Sequence, residues 1–280
     1  MNKALLVADS GGTQTDWCFV NESGSRTFFT TSSFHPSNWN DQFYEEFLAF
    51  WSDKNEIKAA QLHFYGAGCL QESNQQKITD YFHQWGFNDV QVFSDILGAC
   101  HASLGNEKGN VAILGTGSVF CKYDGEKITS IHGGLGYLLG DEGSGYYFGK
   151  MLLRELLNNK FDVNTTNKLT ELLGTRNEIL NKVYGKDSKA FIGSIAGLLN
   201  ELNQTNKHIE NLHTININKF VDFTVLPNCD KNEIVSFIGS YSFFNKYLVI
   251  DILHKNNLNL KNVHRNPINS LTDYIQKATL

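Results

Sequence analysis

The stretch Asp9-Ser10-Gly11-Gly12-Thr13 directly follows a short apolar run at residues 4–8. Apolar sequence resumes at residues 17–20, after which the chain turns at residues 21–24. This pattern predicts two strands joined by a tight turn, because glycine tolerates the positive φ angles that short hairpin loops often require. We therefore expect a β-hairpin with glycines at its tip.

The same pattern occurs a second time about a hundred residues later. An apolar run at residues 111–114 leads into Gly115-Thr116-Gly117-Ser118, and apolar sequence resumes at residues 119–121. Two such hairpins predict two similar domains. We place these domains at residues 1–107 and 108–280, and we allow the last helix to pack back on the first domain.

Between the hairpins, strands lead into helices through short turns. Residues 62–65 run into Gly66-Ala67-Gly68, and residues 90–93 run through Ser94-Asp95 into a helix of small residues. Strands that alternate with helices in this way indicate an α/β layer architecture.

The second half of the chain contains a long helical stretch. Leucine and isoleucine recur there with spacings of three and four from Lys150 to about residue 212. A final strand is expected at residues 234–238, followed by Gly239-Ser240 and a helix over residues 241–254. The helical stretch itself carries no chemical motif.

The composition excludes several classes of function. The 280 residues include 24 basic and 29 acidic ones, for a formal charge of −5 without a block of like charge, which argues against nucleic acid or an anionic membrane as partner. The first apolar run stops at Asp9, too early for a secretory or membrane-spanning segment, so we expect a cytoplasmic protein. Five scattered cysteines without a CxxC pair indicate reduced thiols.

The common nucleotide and metal signatures are absent. Gly149-Lys150 fails as a P-loop because Met151 replaces the hydroxyl that binds magnesium. No GxGxxG occurs, and His208 and His213 are five apart rather than the helical four of a metal pair. We expect the scattered histidines to have structural or surface roles.

The two glycine and threonine turns remain as candidates for binding an anion. Backbone N–H groups can converge on a phosphate where bulky Cβ atoms are missing. Asp9 stands beside the first turn, where its carboxylate would repel phosphate unless a divalent cation such as Mg²⁺ lay between them. The alternative is that Asp9 and Asp16 only stabilise a tight hairpin.

Asp95 stands where a strand ends and a helix begins, so N-capping is its simplest role. A carboxylate at a strand end can instead accept a hydroxyl proton during phosphoryl transfer. The glycine-rich stretch of residues 132–145 contains Asp141-Glu142, which could accept hydrogen bonds from ligand hydroxyls. Here too a purely structural turn is the alternative.

Five motifs together resemble the BadF/BadG/BcrA/BcrD ATPase family, and within it the N-acetylglucosamine kinases. They occur in the order of that family, over residues 1–150. The motifs are residues 9–16, residues 64–69, Asp95 with Gly98-Ala99, residues 115–118 and residues 140–144. The glycine turn at residues 237–240 is similar to the turn on the adenosine side in that family.

The resemblance implies a duplicated ribonuclease H-like fold, that of the actin-like ATPases, with ATP held across a hinge between two domains. It implies that Asp9 organises Mg²⁺ through water and that Gly11, Gly12 and Thr13 hold the terminal phosphates. Thr116 and Gly117 would hold the phosphates from the other domain.

The resemblance also implies a sugar substrate and its contacts. Asp95 would be the general base, and Asp141 and Gly68 would bind other parts of the sugar. Gly239 would let adenosine pack closely. The predicted activity is ATP-dependent phosphorylation of a hydroxyl of a small sugar such as N-acetylglucosamine or glucosamine, and a homodimer is an allowed assembly.

Two departures concern the substrate. N-acetylhexosamine kinases carry an asparagine in the loop after the first hairpin, where this chain reads Phe34-His35-Pro36-Ser37-Asn38-Trp39. We take Asn38 and Trp39 as the candidates for substrate contact there. Leu135 stands where the mammalian enzymes carry tryptophan.

Two other functions stay open at this point. One is an ATPase that activates a dehydratase, whose subunits share an iron–sulfur cluster held by cysteines. The positions expected for Cys100, in a helix, and Cys121, on a strand, argue against it. The other is a sensor without catalysis that closes on ATP, although the chain shows no helix-turn-helix extension or basic helix.

Overall fold

The computed structural model of the chain describes residues 3–37, 41–50, 57–199 and 202–279. The chain divides into two compact units. The first unit comprises Met1–Lys108, Tyr123–Ile128 and Asn266–Leu280, and the second comprises Gly109–Lys122 and Thr129–Arg265. The predicted boundary at residues 107 and 108 stays a prediction.

The first unit is built on a five-stranded sheet within the described residues, with strand order β3-β2-β1-β4-β5. β1 pairs antiparallel with β2 and parallel with β4, and β4 pairs parallel with β5. The first predicted hairpin is thus β1 and β2. The strands are β1 Leu5–Ser10, β2 Gln14–Val20, β3 Arg26–Ser32, β4 Gln61–Gly66 and β5 Val90–Ser94. The helices are Asp41–Ala49, Glu72–Gln84, Asp95–Leu104 and Ile268–Thr279.

The two faces of this sheet have different cores, because residues alternate between the faces along each strand. One face is aromatic: Trp17 is fully buried and stacks on Phe29 with 5.6 Å between the ring centroids. On the other face, Leu5 and Val7 pack with residues of the helix Ile268–Thr279. The last helix therefore belongs to the core of the first unit.

The second unit repeats the topology of the first. Within the described residues its five-stranded sheet has the order β10-β9-β6-β7-β8, which reads 3-2-1-4-5 from the other edge when the strands are numbered within the unit. The predicted duplication is confirmed. The strands are β6 Gly109–Leu114, β7 Ser118–Tyr123, β8 Ile128–Gly133, β9 Ile234–Ile238 and β10 Asn259–His264. The expectation that β9 is the last strand is wrong, because β10 follows it and pairs with it in parallel.

Helices occupy most of the second unit between β8 and β9, as the apolar spacing predicts. They are Gly136–Leu139, Gly145–Leu157, Val163–Leu173, Arg176–Val183, Ser188–Leu198, Leu202–Thr205 and Lys207–Phe220, followed by a π-helical turn Val221–Val225 and a 3-10 turn Leu226–Asn228. The single helix expected over residues 241–254 is instead two helices, Ser240–Phe244 and Lys246–Lys255. They are separated at Asn245, where φ is −105° and ψ is 25°.

In the parts of the chain that the structure describes, no helix combines the length and the apolar character that crossing a membrane requires. The five cysteines are free thiols. Four of them are buried, whereas Cys229 is half-buried.

Candidate active site

The carboxyl ends of three parallel strands lie level in the first unit. Ser10 of β1 pairs with Gly66 of β4, and Gly66 pairs with Ser94 of β5. Asp95 follows immediately, and the N–H of Ala67 donates to the carbonyl of Ser10 at 2.8 Å. This edge of the sheet therefore brings together the segments that carry Asp95 and Gly68, two predicted site residues.

Asp9 stands one residue before this edge, directly opposite Asp16 across the β1–β2 pair. Burial, together with the negative charges of Asp95 and Asp16, raises the pKa of Asp9 to about 8. Asp16 is held by Asn266, whose Nδ2 donates to Oδ2 at 2.5 Å. A cluster of carboxylates that oppose one another's ionisation is a setting in which a divalent cation would favour the charged form.

Asp95 does not cap its helix. The N-cap of the helix Asp95–Leu104 is Ser94, whose Oγ accepts a hydrogen bond from the N–H of Leu97 at 3.2 Å. The capping alternative for Asp95 is therefore wrong, because the preceding serine supplies the acceptor. Oδ1 of Asp95 accepts from the N–H of Ile96 at 2.9 Å. Burial raises the pKa of Asp95 to about 6, although hydrogen bonds from the backbone oppose that shift.

The first hairpin turn is closed by the N–H of Gly11, which donates to the carbonyl of Gln14 at 3.0 Å. Gly11 and Gly12 do not have positive φ, so the conformational reason given for these glycines is wrong. The turn instead leaves open space next to the backbone, since a Cβ at Gly12 would meet no atom within 4 Å. Thr13 is exposed at the tip of the turn. An open turn with small residues fits an approaching phosphate.

The loop after β3 is anchored at the same edge. The N–H of Phe34 donates to Oγ of Ser10 at 3.1 Å, and that hydroxyl donates to the carbonyl of Phe34 at 3.0 Å. The next residue, His35, lies against Gly68: a Cβ on Gly68 would come within 2.5 Å of Nε2. Asn38 and Trp39 lie outside the described residues.

The second hairpin turn is closed within the second unit by the N–H of Gly115, which donates to the carbonyl of Gly117 at 3.0 Å. As in the first turn, neither glycine has positive φ, and a Cβ at Gly115 would meet no atom within 4 Å. The N–H of Gly145 donates to the carbonyl of Gly115 at 2.8 Å. Thr116 packs closely on Gly193, where a Cβ would come within 2.9 Å of its methyl group.

Asp141 joins this turn. Its Oδ1 accepts a hydrogen bond from the N–H of Ser118 at 3.2 Å, and its carboxyl packs against Gly117. The residue is buried and adopts φ of 64°, in the left-handed region that is strained for most residues. Burial raises the pKa of Asp141, although the hydrogen bond from Ser118 and the positive charge of Lys189 oppose the shift. The structure thus brings together Asp141, Thr116 and Gly117, which were predicted separately.

Gly239 lies beside the same turn, with φ of +117°. A Cβ there would collide with the carbonyl of Leu114 and come within 3.1 Å of the nitrogen of Gly115. The chain's own backbone therefore requires this glycine, whatever packs on its other side.

Two residues outside the sequence motifs, Asn216 and Tyr241, form hydrogen bonds next to the loop that carries Asp141. Asn216 is fully buried, and Oδ1 accepts a hydrogen bond from the N–H of Gly143 at 2.7 Å. Its partner Tyr241 is buried next to Ser240. Neither residue could be found from the sequence, because an asparagine in a helix and a tyrosine after a strand carry no distinguishing signal in a single sequence.

The side chains near Asp9 decide whether a metal ion fits there. In the described ranges no group of three or more histidine, cysteine, aspartate or glutamate side chains is arranged to hold one. Mg²⁺ is commonly bound through one or two carboxylates, water and phosphates of the substrate, so Asp9 fits this type of site. Cys100 and Cys121 are both fully buried, so neither presents a thiol to a partner subunit as an iron–sulfur site would require.

Comparison with known proteins finds similarity to sugar kinases in sequence and in structure. No protein-family model matches the chain. A stretch of 65 residues is 42% identical to the N-acetyl-D-glucosamine kinase of Dictyostelium discoideum, and it covers 23% of this chain and 20% of that protein. The matched stretch thus spans only a fifth of the curated relative.

The likeness to solved structures extends over the whole chain. The structure is similar to that of a candidate N-acetylglucosamine kinase from Porphyromonas gingivalis, with a TM-score of 0.90 and 28% identity over 99% of this chain and 100% of the other. MreB 5 of Spiroplasma citri, solved bound to AMPPNP, shares the fold with a TM-score of 0.54 and 10% identity over 99% of this chain and 97% of its own. The resemblance to the N-acetylglucosamine kinases and the duplicated ribonuclease H-like fold of the actin-like ATPases are both confirmed.

Proposed function

We propose that this protein transfers the terminal phosphoryl group of ATP to a hydroxyl of N-acetylglucosamine or a related amino sugar. The observation that carries the proposal is Asp95. Asp95 directly follows β5 at the carboxyl edge of the first sheet. Ser94 caps the helix, so the carboxylate of Asp95 is not needed as the N-cap. Burial raises the pKa of Asp95 to about 6. A base with a pKa close to neutral is suited to accept a hydroxyl proton at the pH of a cell.

In the proposed mechanism, Asp95 acts on the acceptor sugar. Oδ1 is engaged by the N–H of Ile96 at 2.9 Å, so the rotation of the carboxyl is restricted. We assign proton acceptance to Oδ2, which would take the proton as the sugar oxygen attacks phosphorus. Gly68, close to this edge, would contact another part of the sugar.

The phosphate contacts are proposed on the two glycine turns. Gly11, Gly12 and Thr13 in the first unit, and Thr116 and Gly117 in the second, would donate hydrogen bonds to phosphate oxygens. The supporting observation is the open space at Gly12 and at Gly115, where no atom lies within 4 Å of a would-be Cβ. Mg²⁺, when bound, neutralises charge that develops on the phosphates, and Asp9 would hold it through water.

Two further residues are proposed for the substrates. Asp141 would accept hydrogen bonds from sugar hydroxyls, and its buried carboxyl is oriented by the N–H of Ser118 at 3.2 Å. Gly239 would lie on the adenosine side. Both the homodimer and the cytoplasmic location stay predictions.

The choice of amino sugar is supported by the names of the relatives. The Porphyromonas protein, similar over its full length, is named for N-acetylglucosamine, as is the Dictyostelium enzyme. Glucosamine is the second candidate, because residues 34–39 depart from the loop that N-acetylhexosamine kinases carry after the first hairpin.

The test is a coupled assay of ADP release over a panel of hexosamines and hexoses with wild type and Asp95→Asn. We expect turnover with N-acetylglucosamine, and a loss of about a hundredfold or more in kcat for Asp95→Asn with ATP binding retained. Asp124→Asn is the control, because the Asp124 carboxylate is exposed and only accepts hydrogen bonds from Glu126 and Lys127. Full activity of Asp95→Asn would contradict the assignment of the base.

A further inference from the structure

In the second unit, a single buried side chain bonds both to the glycine-rich loop that carries Asp141 and to the helix that follows Gly239. Asn216 lies on the helix Lys207–Phe220 and has no exposed surface. Its Oδ1 accepts a hydrogen bond from the N–H of Gly143 at 2.7 Å, and its Nδ2 donates to the carbonyl of Ser144 at 2.9 Å. The same Nδ2 donates to the hydroxyl of Tyr241 at 2.9 Å. One amide therefore touches both the glycine-rich loop and the helix that starts after Gly239.

The amide has no spare hydrogen-bonding group in this arrangement. Both Nδ2 hydrogens are used, and the carbonyl oxygen serves a backbone N–H. The hydroxyl of Tyr241 lies 2.8 Å from Nδ1 of His213, and burial lowers the pKa of His213, so the neutral imidazole can accept a hydrogen bond from that hydroxyl. A buried network in which each member is satisfied fixes its geometry, because any other rotamer leaves a polar group unpaired.

Packing at the same place restricts the loop further. Gly143 has φ of +81°, and a Cβ there would come within 2.5 Å of the Cβ of Phe220 on the same helix. The loop is therefore held against the helix Lys207–Phe220 by close contact as well as by Asn216. Asp141 lies two residues before Gly143, and Gly239 lies two residues before Tyr241.

We propose that Asn216 is a positioning residue that sets the loop carrying Asp141 and the turn carrying Gly239 in register with each other. This inference rests on the proposed function, since Asp141 is assigned to the sugar and Gly239 to the adenosine side. Asn216 would then contribute to the binding of both substrates without touching either. Tyr241 would affect only the position of the turn that carries Gly239, and therefore only the binding of ATP.

The experiment measures KM for ATP, KM for N-acetylglucosamine and kcat in three variants. Asn216→Leu leaves the buried N–H of Gly143 without the partner it has in wild type and leaves the carbonyl of Ser144 with only the hydrogen bond from the N–H of Phe148, so we expect both KM values to rise about tenfold. Tyr241→Phe removes one hydroxyl and leaves the bonds to the loop, so we expect KM for ATP to rise about threefold and KM for the sugar to change less than twofold.

Asn218→Ala is the matched control, because Asn218 is on the same helix and its Nδ2 only donates to the carbonyl of Thr214 at 2.9 Å. All three kinetic constants should stay within twofold of wild type. A purely structural role for Asn216 would reduce the folded fraction, which lowers kcat and leaves both KM values unchanged. Unchanged KM values in Asn216→Leu and Tyr241→Phe would overturn the inference.

Other measurements decide the inference if Asn216→Leu does not fold or if wild type is inactive. Where Asn216→Leu does not fold, Tyr241→Phe alone decides, since it retains Asn216 and its bonds to the loop. Where wild type phosphorylates no sugar, the proposed function fails, and calorimetric binding of AMPPNP then tests the adenosine part of the inference. Equal dissociation constants for wild type and Tyr241→Phe would overturn that part, and about a threefold weaker binding by the variant would support it.

Discussion

The imidazole of His35 lies against the backbone of Gly68, with Nε2 occupying the space that a Cβ on Gly68 would need. His35 is oriented by Ser37, whose N–H donates to Nδ1 at 3.2 Å. Gly68 has φ of +81°, so both its conformation and its neighbour exclude a side chain. This pair therefore joins the loop after β3 to the turn after β4.

Replacing Gly68 by alanine should destabilise the protein by about 2–4 kcal/mol, the sum of a left-handed conformation and a steric clash with His35. Urea denaturation measures this. Gly24→Ala is the matched control: Gly24 has φ of +86° and no atom within 4 Å of a Cβ, so only about 1–2 kcal/mol is expected. The double variant His35→Ala, Gly68→Ala should fall to the level of Gly24→Ala. A double variant as unstable as Gly68→Ala would show that the clash is not with His35.

The activity should depend on pH through Asp95. Its pKa is raised to about 6, and only the ionised carboxylate accepts a proton, so kcat/KM should fall about tenfold for each pH unit below 6. Initial rates between pH 4.5 and 8.5 at saturating Mg²⁺ measure the profile. The saturating cation is needed because Asp9, with a pKa raised to about 8, also binds a proton in this range. A profile that stays flat to pH 4.5 would be incompatible with Asp95 as the base.

Gly239→Ala should destabilise the second unit by about 3 kcal/mol or more, because the new methyl group collides with backbone rather than with a movable side chain. Gly136→Ala provides the comparison, since Gly136 has φ of +76° and no atom within 4 Å of a Cβ. It should cost about 1–2 kcal/mol. Equal stability of the two variants in urea would mean that Leu114 yields to the methyl group.

Gly193 and Gly197 lie one turn apart on the helix Ser188–Leu198 and form a matched pair. A Cβ at Gly193 would come within 2.9 Å of the methyl group of Thr116, whereas a Cβ at Gly197 would meet nothing within 4 Å. Gly197→Ala should stabilise the protein by up to about 1 kcal/mol through helix propensity. Gly193→Ala should displace Thr116 and raise KM for ATP about fivefold or more. If the KM for ATP is the same in both variants, Thr116 does not hold phosphate.

Stability should fall in mild acid because of two histidines in the first unit, the buried His63 and the half-buried His101. Burial lowers the pKa of His63 to about 4, and burial together with the charge of His63 lowers that of His101 to about 4. The unfolded chain therefore binds more protons between pH 4 and 6.5, so this stability is complete above pH 6.5 and is lost as the pH falls towards 4.

Protonation of His63 in acid lowers the free energy of unfolding by about 3 kcal/mol, because the pKa of His63 is about 4 in the folded protein and 6.5 in the unfolded chain. His63→Phe, which retains a ring next to Phe93, should flatten the difference between urea denaturation at pH 7.5 and at pH 5. His254→Gln, at an exposed position, serves as the control. If the stability of His63→Phe depends on pH as strongly as that of wild type, groups other than His63 cause the acid sensitivity.

The hairpins and the helical stretch could be predicted because their signals are local. The apolar runs of β1 and β6 end at glycine turns, and the helices after Lys150 repeat apolar residues at helical spacing. β10 has no such signal: Asn259–His264 contains two apolar residues among six and pairs with β9 through an irregular register. The order of parallel strands also has no local signal, and here it was available only through the resemblance.

The candidate site was predicted as separate residues, and the structure supplies the connections between them. Asp141 and Gly117 are 24 residues apart in sequence and come into contact because the loop that carries Asp141 returns to the turn before β7. Of the two reasons given for glycine in the hairpin turns, a positive φ is wrong, whereas open space is found at Gly12 and Gly115. Asn216 could not be found at all, since a buried amide that bonds to backbone is recognised only from the contacts around it.

The helix Ile268–Thr279 has a consequence for how the protein is made. Leu271 and Ile275 complete the core beside Leu5 and Val7, so this apolar face of β1 is covered only after residues 268–279 have been synthesised. The first unit therefore reaches its final packing only after translation of residues 268–279, whereas the second unit, whose residues end at Arg265, can finish folding first. In this chain the order of synthesis is the reverse of the order in which the two cores close.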